Sequence, residues 1–367
     1  MIKITDTITV KDVLTKPEAC IDYFNLVYVN DYDLTIKRVK KGDKFKYKKE
    51  NILISDENIL KRINQLVVPP IWKNVRISDL ENGHLQAIGR DAKGRKQYKY
   101  HLNWNAIRNK TKFFKMVDFG KNLPKIRKQV DIDLKQKEWT LNKVLALIVK
   151  LLEETHIRIG NQQYAKRNKT YGLTTLRSRH ITKDENKIRF EFVGKKGKEH
   201  KVTLKNKKLV KLVNQCQEIP GWNLFQYYDV DGVKRKVDSS LVNDYLHDIC
   251  GELFTAKDFR TWSASFICFN KLLDFGIEED ETKNKKNVIS AIDEAAKGLG
   301  NTRNVSRKYY IHPEIIDTYK SGTIKKYFDT TLQHKKEDKY FLASEKSMLS
   351  LFENYKPEMM LKNIEMS

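Results

Sequence analysis

Cysteine is scarce in this chain of 367 residues, and what there is lies scattered. Cys20, Cys216, Cys250 and Cys268 form no CxxC pair, so neither a zinc site nor a disulfide framework is signalled. Such usage fits a reducing compartment. Long apolar runs are missing too. The opening "MIKITDTITV" has no apolar signal core, and no stretch approaches the roughly 20 apolar residues of a membrane span. The expectation is a soluble intracellular protein with no membrane partner, in cytoplasm or nucleoid, or in a virion if the source is viral. Familiar phosphate and metal signatures also fail. "GKKGKEH" (194–200) lacks the spacing and the Lys-Ser/Thr ending of a P-loop, and "GLGNTR" (298–303) lacks the strand and helix of a dinucleotide site. "DVDG" (229–232) is a fragment of a calcium loop whose flanks "FQYY" and "VKRKV" read as a hairpin turn. With no HExxH and no paired-carboxylate cluster, the expectation is no cofactor and no metal.

Acidic residues are also too few to balance the basic ones. Against 71 Lys and Arg stand 47 Asp and Glu, a formal net charge of +24. Such an excess points to a polyanionic partner, because each phosphate neutralised releases a condensed counterion. A ribosomal or merely cationic protein shares this property. Yet 40% of residues are hydrophobic, with 16 Phe and 17 Tyr, so the chain folds and is no disordered basic tail. Its length allows two or three domains.

The first hundred residues read as β-rich. "LTIKRV" and "KFKYKK" flank a Gly42-Asp43 turn, which suggests a hairpin with Lys44, Lys46 and Lys48 on one face and Phe45 and Tyr47 on the other. "SDENILKRINQL" (55–66) reads as a short helix capped by Ser55, with Ile59, Ile63 and Leu66 as its buried stripe and Pro69-Pro70 beyond it. "NVRIS", "HLQAIGR" and "RKQYKYHL" read as strands. From about residue 105 the pattern turns helical, which sets expected domains at 1–105 and 106–367. "FFKMVDFGKNLPKIRKQV" (113–130) is basic and expected to break near Pro124. "WTLNKVLALIVKLLEETHIRIG" (139–160) is the clearest helix, stopped by Gly160 and ended by Arg158. Strands "KIRFEFVG" and "EHKVTLK" follow around "GKKGK", and then a helical half and a polar tail.

Phosphodiester transfer by a side chain needs an in-line nucleophile, fixed positive charge at the non-bridging oxygens and an acid for the departing alkoxide. Arg suits the charge, since its planar fork holds two oxygens and does not deprotonate. Lys suits the acid, since cationic neighbours lower its pKa. Arg158, Lys195, Arg260 and a phenol of "NTRNVSRKYYIHP" (301–313) are candidates. Each has a bland reading: a helix-end arginine, a solvated turn lysine, an arginine paired with Asp258, and a small amphipathic helix with a basic face.

Several stretches in series carry a resemblance. "IRIGNQQYAKRNKTYGLTTLRSRHI", "FVGKKGKEHKV", "KDFRTWSASF", "GLGNTRNVSRKYYIHP" and, upstream, "VVPPIWKNVRIS" with "HLQAIGRDAKGRKQYKYH" are similar to motifs of type IB DNA topoisomerases, the compact poxvirus-like and bacterial branch. The resemblance runs from about residue 65 to 315. It implies an α+β protein: a small β-rich N-terminal DNA-binding domain and a larger, mainly helical catalytic domain with a small β-hairpin, forming a clamp around duplex DNA as a monomer. It implies relaxation of supercoils through a 3′-phosphotyrosyl intermediate, without ATP. It implies Tyr310 as nucleophile, because a Ser four positions earlier sets that register over Tyr309, with Arg158, Arg260 and Asn301 on the non-bridging oxygens and Lys195 as acid. Asn301 stands where poxvirus-type and nuclear members carry His. An amide donates the same hydrogen bond without titrating, and its removal is expected to cost less than removal of Arg158 or Arg260. Arg95, Gln97, Tyr98 and Tyr100 on one strand, and Tyr164 and Lys166 on a helix after Arg158, are the candidate DNA contacts. A tyrosine recombinase and a non-catalytic basic DNA- or RNA-binding protein are the rival readings.

Overall fold

In "KFKYKK" lysines alternate with aromatics, and the structure turns that alternation into one exposed and one half-buried face of a strand. The computed structural model describes residues 12–13, 17–42, 44–184, 186–251, 253–334 and 338–355. "MIKITDTITV", Asp43 of the expected turn and the polar tail past Tyr355 lie outside the described residues. The chain divides into two compact units, one reaching Lys115 and the other running from Met116 to Tyr355.

The first unit holds a six-stranded antiparallel sheet. Its strands are β1 (Ile36–Lys41), β2 (Lys44–Lys49), β3 (Ile52–Leu53), β4 (Lys73–Ile77), β5 (Leu85–Arg90) and β6 (Lys96–Tyr100), in the order β3-β2-β1-β4-β5-β6. β1 and β2 pair from Lys37 with Lys48 to Lys41 with Lys44. Helix α1 (Glu57–Gln65) lays Ile63 against Ile36, Val75, Ile77 and Ala87. Its cap is Asp56 and not Ser55: the Asp56 carboxylate accepts from the N–H groups of Asn58 and Ile59, and the charge also suits the helix dipole. β6 is an edge strand.

Helix α2 (Leu102–Asp133) is continuous, so the expected break at Pro124 does not occur. Proline removes one backbone donor there. Burial of Phe119, Leu123, Ile126 and Val130 along the helix outweighs that loss. In the second unit α3 (Leu141–Thr155) is buried almost all round, from Val144 through Leu152 apart from Lys150. Its apolar sequence reflects a central position. Around it lie α4 (Gln162–Asn168), a sheet of β7 (Ile181–Asp184), β8 (Lys187–Val193) and β9 (Glu199–Leu204), α5 (Lys207–Gln217), the ribbon β10 (Gln226–Tyr228) with β11 (Lys234–Lys236), and α6 (Ser239–Cys250). Then follow α7 (Ala256–Phe275), α8 (Glu281–Leu299), α9 (Arg303–Tyr309), α10 (Pro313–Lys320), α11 (Lys325–Gln333) and α12 (Ala343–Phe352). "DVDG" is the ribbon's turn. Asp229 accepts from the N–H groups of Asp231 and Val233 and pairs with Arg235, so its carboxylate serves the turn. The fold is α+β, with a β-rich N-terminal region and a larger, mainly helical one.

A buried ionic knot ties α12 to the helices beneath it. Arg127 makes two 2.7 Å hydrogen bonds to Glu345 and a third to Glu153, and it also donates to the Tyr340 carbonyl. Trp262, on α7, donates to the same Glu345. Burial opposes the charge on Arg127, but Glu345 and Glu153 more than offset it and raise its pKa. Glu345→Gln leaves the guanidinium half-compensated, so it is expected to destabilise the protein by about 3 kcal/mol, read as a lower midpoint in chemical denaturation.

Candidate active site

α3 stops at Thr155 because His156 adopts a left-handed conformation, φ 53°, and returns its N–H to Leu152. Arg158 therefore lies three residues beyond the helix, not at its end. What aims it is a close backbone crossing. The Arg158 carbonyl accepts from Leu173 N–H at 2.9 Å, and the Ile159 carbonyl from Thr174 N–H at 2.8 Å. Gly172 makes the crossing possible: a Cβ there would lie 2.3 Å from the Arg158 carbonyl oxygen and 2.6 Å from Gly160 N. Gly172→Ala must push the two segments apart. The expected outcome is about 1–3 kcal/mol of lost stability, read as a lower midpoint in chemical denaturation.

Arg158 donates from Nη2 to Asn301 Oδ1 at 2.6 Å. Asn301 follows Gly300, the left-handed cap of α8. Its amide oxygen also faces Arg260 Nη2 at 3.5 Å. With the oxygen turned to two guanidiniums, the amide nitrogen points the other way, and it has no protein partner. Arg260, on α7, is 4% exposed. It donates to the carbonyls of His156 and Leu299, while its Nε is left without a partner. Asp258, its expected partner in the bland reading, accepts from Thr255 N–H at the start of α7. Burial and Arg158 both disfavour the charge on Arg260, against an opposing pull from Tyr310.

The Arg260 guanidinium stands 5.5 Å from the centre of the Tyr310 ring. Tyr310 follows α9, which Thr302 caps by accepting from Val305 N–H. Burial would raise its phenol pKa, but Arg260, Arg158 and Lys257 more than offset that and lower it. Tyr309 is different: 41% exposed, with Lys308 over its ring. Lys195 sits in the turn between β8 and β9. Partial desolvation of its amine and the charges of Arg158, Lys196 and Lys257 lower its pKa, against an opposing pull from Tyr310. Arg158, Lys195, Arg260, Asn301 and Tyr310 thus come from five separate segments of the second unit to one place.

Two members escaped the sequence reading. Lys257 acts on the charge of both Tyr310 and Lys195. Its signal was present, one helical turn before Arg260 in "KDFR". Ser265, wholly buried, donates from Oγ to the Tyr310 carbonyl at 3.3 Å and accepts from His312 N–H at 3.0 Å. It pins the chain just after Tyr310 to the helix that bears Arg260. A serine inside the apolar run "SASF" gives no such signal. Among the described residues no group of three or more His, Cys, Asp or Glu could hold a metal ion.

The candidate DNA contacts are less uniform. Arg95 and Gln97 both turn to Asp91, at 2.6 and 2.9 Å. Tyr98 is exposed and stacks on Tyr100 at 6.0 Å. Tyr100 packs partly into the core of the first unit, and burial raises its pKa. Tyr164 and Lys166 are exposed on α4, where Ala165 faces inward.

A tyrosine beside two arginines, with an asparagine linking them and a lysine within electrostatic reach, is an arrangement suited to phosphoryl transfer. Comparisons with known proteins give the family. The family profile for the catalytic core of eukaryotic DNA topoisomerase I matches residues 99–338. That for the N-terminal domain of bacterial DNA topoisomerase IB matches residues 44–91. The chain is 32% identical over 315 residues to DNA topoisomerase 1B of Acanthamoeba polyphaga mimivirus, covering 83% of this chain and 91% of that one. It is 27% identical over 238 residues to DNA topoisomerase 1 of rabbit fibroma virus, covering 63% and 70%. With DNA topoisomerase 1B of vaccinia virus, strain Copenhagen, it shares 26% over 239 residues, covering 64% and 72%. The chain belongs to the type IB DNA topoisomerases, isomerases whose substrate is DNA. No helix among the described residues is long and apolar enough to cross a membrane.

Proposed function

We propose that this protein relaxes supercoiled duplex DNA by reversible transesterification at Tyr310, acting as a monomer. The Tyr310 phenol loses its proton to solvent, and its oxygen attacks a backbone phosphorus. The bond from phosphorus to the 5′ oxygen breaks, and Lys195 gives that oxygen a proton. Tyr310 is left on the 3′ phosphate. Arg158, Arg260 and Asn301 hold the non-bridging oxygens, where negative charge builds in the transition state. The free 5′ end swivels, then attacks the phosphotyrosine and reseals the strand. One phosphodiester is exchanged for another of similar energy, so the cycle needs no ATP. Positioning and fixed charge supply the catalysis, as in phosphoryl transfer generally. The N-terminal unit, residues 1–105 and the start of α2, serves as the DNA-binding domain of a clamp. Tyr98, Tyr164 and Lys166 are its proposed contacts or those of α4, and Arg95 and Gln97 must leave Asp91 to join them.

The observation that carries this reading is the Arg260 guanidinium beside the Tyr310 ring, with Arg158 and Asn301 linked behind it. The test is relaxation of a supercoiled plasmid at low protein concentration, without ATP and without a paired recognition site. Relaxation together with a detergent-trapped protein–DNA adduct supports it. Binding with neither would leave a passive DNA-binding protein, and strand exchange between paired sites would indicate a recombinase.

A further inference from the structure

His200 lies on β9, five residues past Lys195, and its ring fills a gap between two parts of the site. It stacks on Phe192 of β8 at 5.1 Å and 11°. On one side it meets the lysine turn: a Cβ on Gly194 would fall 2.6 Å from His200 Cδ2 and 2.7 Å from Nε2. On the other it meets the cap of α8: a Cβ on Gly300 would fall 2.7 Å from His200 Cε1 and 3.1 Å from Nδ1. Both glycines leave room for the same ring. Gly194 directly precedes Lys195, and Gly300 directly precedes Asn301. The ring thus lies against both neighbours. Gly194 needs no left-handed backbone, with φ −98°, so the imidazole is the steric reason for a glycine there. Burial, Arg158, Lys198 and Arg260 hold the imidazole neutral, with its pKa pushed down to about 4. It adds no charge to a site already crowded with cations.

We propose that His200 is a positioning residue, a neutral wedge that seats the Lys195 turn against the Gly300–Asn301 cap and so brings the lysine amine to the departing 5′ oxygen. The proposal rests on Lys195 acting as the acid for that oxygen. Without the ring the turn loses its seat on α8, while Arg158 and Arg260 keep their own backbone and amide partners. The defect should therefore be confined to proton delivery.

Leaving-group chemistry isolates that step. A substrate with sulfur in place of the bridging 5′ oxygen departs as a thiolate and needs no proton. On the ordinary substrate, His200→Ala is expected to slow single-turnover cleavage by on the order of tenfold to a hundredfold, part of what a general acid supplies. On the sulfur substrate it should cleave nearly as fast as wild type. Gly194→Ala, which drives a methyl into the same ring, should show the same split and serves as the second variant should His200→Ala fold poorly. Lys195→Ala gives the benchmark. Equal slowing on both substrates, or no slowing on either, in a variant that unfolds like wild type would overturn the proposal. If Lys195→Ala itself were not relieved by sulfur, the assignment of the acid would fail. If wild type formed no adduct, the transesterification reading would fail first.

Discussion

Tyr310→Phe protein should bind duplex DNA as wild type does and leave no covalent adduct when detergent stops the reaction. The expected loss of cleavage is at least on the order of 10⁴-fold, because the variant removes the proposed nucleophile itself. The argument is local. The substitution removes one oxygen from a half-buried ring and keeps the ring's contacts. The backbone beyond it stays pinned by Ser265, which bonds the Tyr310 carbonyl and His312 N–H. Folding should therefore be spared, and thermal unfolding checks this. Tyr309→Phe is the control. Its ring is exposed, and Lys308, not Arg260, lies over it. If Tyr309→Phe abolished the adduct and Tyr310→Phe did not, the register of the nucleophile would be wrong by one residue.

Much of this was legible in the residue pattern, and the parts that were not share a cause. Strands declared themselves where polar and apolar residues alternate, as in "KFKYKK" and "KIRFEFVG", because one buried face imposes a period of two. α3 declared itself by a long apolar run, which marks its place at the centre of the second unit. Helix ends were read less well. Gly160 was the residue expected to stop α3, yet His156 took the left-handed position. Asp56 displaced Ser55 as a cap. In both places neighbouring residues could satisfy the same local requirement, and tertiary contacts chose between them. Pro124 is the same lesson in reverse, since packing of α2 outweighs a local breaker.

The site itself divides along that line. Single residues with strong chemistry, Arg158, Lys195, Arg260 and Tyr310, could be picked out by type and setting, and the family resemblance fixed their roles as expectations. The residues that aim them could not. Gly172 matters only because another segment crosses it, Ser265 because a tyrosine carbonyl arrives from 45 residues away, and His200 because two glycines face it. No short-range pattern encodes a contact between segments distant in sequence. Tyr98 and Tyr100 show the limit from the other side. They share a face of β6, yet one ring is exposed and the other half-buried, because the small core beside α2 lies under only one end of the strand.

Arg260→Gln should slow cleavage and religation alike by on the order of 10²–10³-fold, the scale set by loss of one transition-state donor. In the proposed reaction both directions pass through the same five-coordinate phosphorus, so the rates should fall together while the cleavage equilibrium shifts far less. Arg260→Lys should recover little. A lysine brings one charge on a flexible stem, whereas the arginine fork serves the His156 and Leu299 carbonyls and still presents Nε without a partner. Those carbonyls are also why the variant loses stability, about 1–3 kcal/mol for acceptors left buried without a donor. The two effects separate cleanly. A folding defect lowers the active fraction and is relieved by cooling or by binding DNA. A missing donor lowers the single-turnover rate of fully bound protein at every temperature where it is folded. A rate loss that disappeared once binding was saturated would make Arg260 a structural support for Asn301 and not a ligand of the phosphate.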